Sequence, residues 1–177
     1  MIKLGWKIYL MIAAILLLGG MVIFLEKFFF FLVIAAAALL VAIVLRFFKV
    51  LKYMGVELVT LSTMIIGVVH GPVIGGIYGF TILLAHLIIG DYYTGNYLMW
   101  AIPLYALLGV LSGIFGTSLI GFLGVSFIIG LDLISLFFTF IGESDRLGKE
   151  LPYIIGNILI NSILFVQFFG SVVNFVS

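Results

Sequence analysis

Long apolar runs constrain this chain more than any other feature. Ile8 to Leu25 and Phe28 to Leu45 contain no charged residue, and each has about the 18 residues that an α-helix needs to cross roughly 30 Å of hydrocarbon. Hydrophobic residues make up 66% of the sequence and charged residues only 8%, whereas a soluble domain carries roughly 25% charged residues. A water-soluble fold is therefore excluded, and we predict transmembrane helices.

Charged and turn-forming residues divide the chain into apolar segments. The segments are apolar on every side, whereas the strands of a membrane β-barrel alternate polar and apolar residues. We therefore predict an all-α, multi-pass bundle of six or seven transmembrane helices that forms a single membrane domain over residues 1–177. The seven segments, with ends defined to within about 2–4 residues, are 8–25, 28–48, 57–70, 73–90, 97–115, 119–140 and 152–175.

The first segment follows Lys3 and Lys7, an arrangement that signal peptides also have. Residues 25–27, Leu-Glu-Lys, lack the small residues of a cleavage site, and another apolar segment follows at once. We therefore expect a retained helix.

Basic residues near the amino terminus and in the loops 46–57 and 142–152 predict the orientation. Placing the amino terminus in the cytoplasm leaves only Lys27 outside. The positive-inside rule then favours seven spans in the cell membrane, with an external carboxyl terminus.

The third and fourth segments meet at His70-Gly71-Pro72. Proline has no N–H and restrains the preceding residue away from the α region, so this sequence predicts a tight hairpin between two helices. Gly75, Gly76 and Gly79 follow at spacings that let another helix backbone approach closely. We interpret both features as architecture.

Ionisable residues within the apolar segments are the stronger functional candidates. A charge at the bilayer centre costs at least about 2.5–3.5 kcal/mol, so such a side chain usually faces the bundle interior. Glu57, His86, Asp91 and Asp132 qualify. Glu57 and Asp91 are also explained as interfacial caps, and His86 as a neutral histidine that is hydrogen-bonded within the bundle.

Two further stretches carry polar groups. In "GDYYTGNYLMW", residues 90–100, the aromatic rings suit either a membrane-interface belt or a lid in which Asp91 and Asn96 hydrogen-bond a flat ligand beside Trp100. Asn157 and Asn161 lie on one face of the last segment, four residues apart. They either bridge helices or line a polar cavity that faces the helices of His86 and Asp132.

Catalytic and metal-binding motifs are missing from the sequence. It contains no H-E-x-x-H, G-x-S-x-G or P-loop pattern and no cysteine. No basic cluster marks a nucleic-acid surface. We therefore expect no enzymatic activity, no catalytic residue, no cofactor, no metal site and no nucleic-acid partner.

The order of several motifs resembles the substrate-binding S components of energy-coupling factor vitamin transporters. These motifs are a helix with Ala38 and Ala42, a short helix, the turn "GPVIGGIYG" and a terminal "LPYIIGNILIN" helix. The resemblance covers about residues 28–175 and leaves 8–25 as an additional helix. It implies six helices that capture a vitamin-sized small molecule and dock on a transmembrane coupling subunit driven by ATPases, with Ala38 and Ala42 at the docking face.

Combined with the inward-facing polar residues, this resemblance predicts a solute-binding membrane subunit. Its predicted cavity draws on His86, Asp91, Asn96, Trp100, Asn157 and Asn161. The turn is also similar to that of the small membrane subunit of the bacterial rod-shape machinery, which makes a non-catalytic scaffold for partner membrane proteins the alternative. The S-component orientation would place the 46–52 loop outside, opposite to the orientation that the charges predict.

Overall fold

The protein is an all-α helical membrane bundle, as the sequence predicts. The computed structural model describes the backbone of residues 3–92, 97–117, 120–142 and 147–171, and their side chains except those of 3–24, 97, 120–123 and 149. The described residues contain no strand. Their helices are α1 (Lys3–Phe47), α2 (Lys49–Tyr53), α3 (Val59–His70), α4 (Pro72–Ile89), α5 (Tyr97–Phe115), α6 (Ile120–Gly142) and α7 (Leu147–Leu164), which a π-helical segment, Phe165–Phe169, extends.

Five helical stretches among the described residues are long and apolar enough to cross a membrane. They are Leu25–Phe47, Pro72–Ile89, Leu98–Phe115, Gly124–Gly142 and Glu150–Phe169. Helix α3 has only 12 residues, fewer than the roughly 17–25 of a full span.

Helix α1 corrects one sequence prediction. Segments 8–25 and 28–48, predicted as separate spans, form one uninterrupted helix of 45 residues. The predicted break rested on the charges of Glu26 and Lys27, but both residue types are good helix formers, and neither Gly nor Pro stands there to end the helix.

Helix α3 is the central element of the bundle. Its residues from Val59 to Gly67 are all buried, and it packs against α1, α4 and α5 and, over fewer residues, against α6 and α7. A helix surrounded by other helices has no lipid-facing side, which explains why both its apolar and its hydroxyl side chains are inside.

The hairpin between α3 and α4 is confirmed at the predicted residues. Helix α3 ends at His70, α4 begins at Pro72, and Gly71 connects them with φ 88° and ψ 173°. Pro72 occupies the first helical position, where its missing N–H costs no hydrogen bond.

The predicted close-packing glycines of α4 contact the backbones of other helices. A Cβ on Gly75 would lie 2.5 Å from both the Gly109 carbonyl oxygen and the Gly67 Cα. A Cβ on Gly79 would overlap the carbonyl oxygen of Tyr105. Helices α3, α4 and α5 therefore form one closely packed unit, while Val73 and Ile77 lie exposed on the other face of α4.

Replacement of Gly71 by alanine tests this hairpin. No side chain would clash there, but the φ of 88° lies in a region that residues with a Cβ rarely adopt. We expect Gly71→Ala to lower the free energy of unfolding by about 1–3 kcal/mol, measured by denaturant titration in detergent. Gly148→Ala, at an open helical position in α7, is the control, and equal stabilities of the two variants would contradict the strained turn.

Candidate functional site

Two glycines allow the connection between α2 and α3 to lie directly on α7. Gly55 has φ 68°, and a Cβ there would lie 2.7 Å from the Asn157 Cβ. A Cβ on Gly156 would overlap the Met54 carbonyl oxygen. This close approach places Glu57, which follows two residues later, beside the asparagines of α7.

Glu57 is buried, with 2% of its surface exposed. Its Oε2 accepts hydrogen bonds from the backbone N–H groups of Val59 (2.6 Å) and Thr60 (3.2 Å) at the start of α3. Its Oε1 accepts the Thr60 hydroxyl (2.5 Å) and the Asn161 side-chain amide (3.4 Å). The carboxylate is therefore both a helix cap and an inward-facing group, which the sequence offered as alternatives.

Asn157 and Asn161 lie on one face of α7, as predicted, and they bridge helices. The Asn161 Nδ2 group contacts Glu57 Oε1 at the start of α3 and also Asn157 Oδ1. The Asn157 Nδ2 group donates to Asp132 Oδ1 of α6 over 3.1 Å. The described contacts therefore correspond to the helix-bridging interpretation of these two residues.

A fourth helix reaches the same place. The Tyr105 hydroxyl of α5 lies 3.0 Å from the Thr60 hydroxyl. We call the connected side chains the carboxylate–amide cluster, and all of them are buried. Its members are Glu57, Thr60, Tyr105, Asp132, Asn157 and Asn161.

Some polar atoms of this cluster lack partners. Asp132 Oδ2 and Asn161 Oδ1 are buried and accept no hydrogen bond from any residue that the structure describes. A buried polar group without a hydrogen bond lowers the stability of the fold by about 1–3 kcal/mol. Packing alone therefore does not explain why these two oxygens are buried.

A second polar group lies at the carboxyl end of α4. Lys52 donates to the carbonyl oxygens of Gly90 (3.0 Å) and Asp91, and its ammonium lies 3.9 Å from the centre of the Tyr92 ring. His86 is buried, and its ring centre lies 5.0 Å from that of Tyr92. Burial lowers the pKa of Lys52, an effect that the Asp91 carboxylate opposes.

Tyr92 connects the two polar groups electrostatically. Burial raises the pKa of its hydroxyl, and the Glu57 carboxylate raises it further. Glu57 therefore lies close enough to Tyr92 for its charge to act there.

The remaining predicted cavity residues lie elsewhere or outside the described part. Asp91 is exposed, with a φ of 53° at the end of α4, and Asn96 lies outside the described residues. The Trp100 ring stacks on Phe138, 5.5 Å between centres. Trp100 lines an apolar groove of about 660 Å³ between α5 and α6, whose lining includes none of the other predicted residues.

The two alanines of the predicted docking face are covered by the chain itself. Ala38 and Ala42 are 1% and 0% exposed, and Ala38 belongs to the main hydrophobic core. This placement corresponds to internal packing. The family resemblance implies that a partner docks on these two side chains. In this conformation neither side chain is exposed to a partner.

Sequence reasoning missed Thr60 and Tyr105, and it singled out Glu57 and Asp132 without including them among the binding residues. The spacing of Glu57 and Thr60 was the available signal, because an acidic side chain beside the start of a helix can accept its free N–H groups. Tyr105 gave no comparable signal, since a tyrosine in an apolar helix is commonly a packing residue.

No protein-family model, curated protein or solved structure matches this chain.

Proposed function

We propose that this chain is a solute-binding subunit of the cell membrane that takes up a vitamin-sized molecule. The observation that carries the proposal is the position of the carboxylate–amide cluster. It joins the glycine-packed unit of α3, α4 and α5 to the α6–α7 pair through polar side chains, and polar residues inside a membrane bundle commonly mark the path or site of a solute.

The Lys52, His86 and Tyr92 group supports the same proposal. A cation and two ring systems beside the cluster supply recognition groups for a polar molecule that contains a ring. The S-component resemblance adds the mode of action, in which the subunit delivers its solute to a coupling subunit driven by ATPases.

Asn161→Ala tests the proposal, because Asn161 contacts both Glu57 and Asn157. We expect native mass spectrometry of the detergent-solubilised protein to find a small molecule from a vitamin panel. We expect the variant to bind it at least about tenfold more weakly, because the solute would lose a hydrogen bond to this amide or to the Glu57 carboxylate beside it. A hydrogen bond to a charged group contributes about 1.5–3 kcal/mol.

Ser112→Ala is the control for this experiment. Ser112 is also buried, but its hydroxyl donates to the Leu108 carbonyl oxygen of its own helix over 2.7 Å. Unchanged binding is expected there. The proposal is wrong if no molecule of the panel binds the wild-type chain, or if both variants bind as the wild type does.

A membrane scaffold is the second candidate, and the open groove between α5 and α6 favours it. Its lining is formed by apolar side chains such as Leu104, Leu133 and Phe137, which suits contact with another transmembrane helix. Purification of the tagged chain in mild detergent separates the two candidates. A coupling subunit with ATPases supports the importer, and other membrane proteins without ATPases support the scaffold.

A further inference from the structure

The carboxylate–amide cluster has more buried oxygen acceptors than donors to satisfy them. Asp132 is 4% exposed and Asn161 is 0% exposed. One oxygen of each, Asp132 Oδ2 and Asn161 Oδ1, receives no hydrogen bond in the described part of the chain. Both oxygens lie in the chain of contacts that runs from Asp132 through Asn157 and Asn161 to Glu57.

Reversing the Asn161 amide does not remove this excess. In the present orientation its Nδ2 group faces Glu57 Oε1, the Asn157 carbonyl oxygen and Asn157 Oδ1. In the reversed orientation an oxygen would face those three oxygens instead. In both orientations, the side-chain oxygen of Asn161 needs a cation or a hydrogen-bond donor as its partner.

Among the side chains that the structure describes, no cationic group pairs with the two carboxylates. The hydrogen bonds to Glu57 come from backbone amides, Thr60 and Asn161, and the bond to Asp132 comes from Asn157. The charged groups that act on Asp132 within the described chain are Glu57 and Glu150, both acidic.

Lys52 does not supply the missing positive charge, since its ammonium contacts the Gly90 and Asp91 carbonyl oxygens. Glu57 has four donors that stabilise its ionised form. Asp132 has one donor among the described residues, so its charge is the one that needs compensation inside the membrane.

We infer that this cluster binds one small monovalent cation at the unpaired carboxylate oxygen of Asp132, Oδ2. Carboxylate and amide oxygens suit a hard cation. A single charge matches the single uncompensated carboxylate, and the described residues include no group of three His, Cys, Asp or Glu side chains that could hold a metal ion of higher charge. The ligands of this site are oxygen atoms. It is therefore a different kind of site from the cysteine and histidine sites for transition metals, which the sequence gives no reason to expect.

This inference deepens the proposed function and rests on it in one respect: the cation would accompany the solute at the junction of the same two helix groups. Cation binding itself requires no solute, so the two can be tested apart.

Sodium chloride is the probe, and the full chain in detergent is titrated with it while choline chloride keeps the ionic strength constant. We expect the midpoint of thermal unfolding to rise by several degrees and to saturate, because a ligand that binds only the folded state stabilises it. Asp132→Asn should abolish the rise, whereas Glu26→Gln, which removes a charge from an exposed position of α1, should keep it.

Equilibrium dialysis with radiolabelled sodium keeps the inference testable even where Asp132→Asn does not fold. We expect one ion per wild-type chain. Identical unfolding midpoints in sodium and choline, together with no bound sodium, overturn the inference. A midpoint that responds to pH but not to sodium also overturns it, because the occupant of Asp132 is then a proton.

The solute experiment fails independently of this one. Sodium binding without any solute from the panel keeps the cation site and removes the solute-binding proposal. Solute binding with no response to sodium removes only the cation site.

Discussion

Gly109→Ala should prevent α4 and α5 from packing, and it is the substitution with the largest expected effect on stability. A Cβ on Gly109 would overlap the carbonyl group of Gly75. The obstacle is backbone inside a helix, which cannot rotate away as the end of a side chain can. Overpacking of a core costs about 1–3 kcal/mol and occasionally more, and we expect a loss of at least about 3 kcal/mol here.

Unfolding of the purified protein in detergent, followed by circular dichroism and size-exclusion chromatography, measures this loss. Gly130→Ala is the matched control, because Gly130 also lies inside a helix but has open space where a Cβ would project. That variant should be unchanged or more stable by up to about 1 kcal/mol, given the higher helix propensity of alanine. Similar losses in the two variants would refute the role of close backbone contact.

Glu57→Ala should cause the second largest loss of stability. The substitution removes a helix cap, which costs about 0.5–2 kcal/mol, and it leaves the buried Thr60 hydroxyl and Asn161 amide with one acceptor fewer. An unsatisfied buried donor costs about 1–3 kcal/mol. We therefore expect a total loss of about 2–5 kcal/mol.

Glu57→Gln should lie between the alanine variant and the wild type. Glutamine has the same size as glutamate. Its amide nitrogen, however, would face hydrogen-bond donors at a position where a carboxylate oxygen of Glu57 accepts their bonds. Denaturant titration of both variants beside Glu26→Ala, an exposed site that should change stability by less than about 0.5 kcal/mol, makes the comparison. Full stability of Glu57→Ala would show that the cluster does not support the fold.

Several features follow from residue chemistry alone and could be predicted from the sequence. The hairpin at His70-Gly71-Pro72 follows from the stereochemistry of proline, and the close contacts of Gly75 and Gly79 follow from their spacing on a helix. The shared face of Asn157 and Asn161 follows in the same way from helical periodicity.

Other features depend on how the helices are arranged, and the sequence could not predict them. The order of bonds from Glu57 to Asp132 depends on the contact of the α2–α3 connection with α7, which periodicity within one helix does not encode. Trp100 likewise lies against Phe138 because of the position of α6. The continuity of α1 could not be predicted from charge. Glu26 and Lys27 are charged, but a charged residue does not end a helix by itself.

The contrast between the glycine contacts and the carboxylate–amide cluster has a consequence for motion. Backbones that touch at Gly75 and Gly109 have no intervening side chains that could change rotamer, so α3, α4 and α5 should move as a rigid body. Apart from the backbone contact of Gly156 with the α2–α3 connection, the α6–α7 pair meets this body through side chains, over fewer residues. A tilt of this pair relative to the rigid body would fall on the microsecond to millisecond scale of helix displacements, and it would change the distance between Glu57 and Asp132.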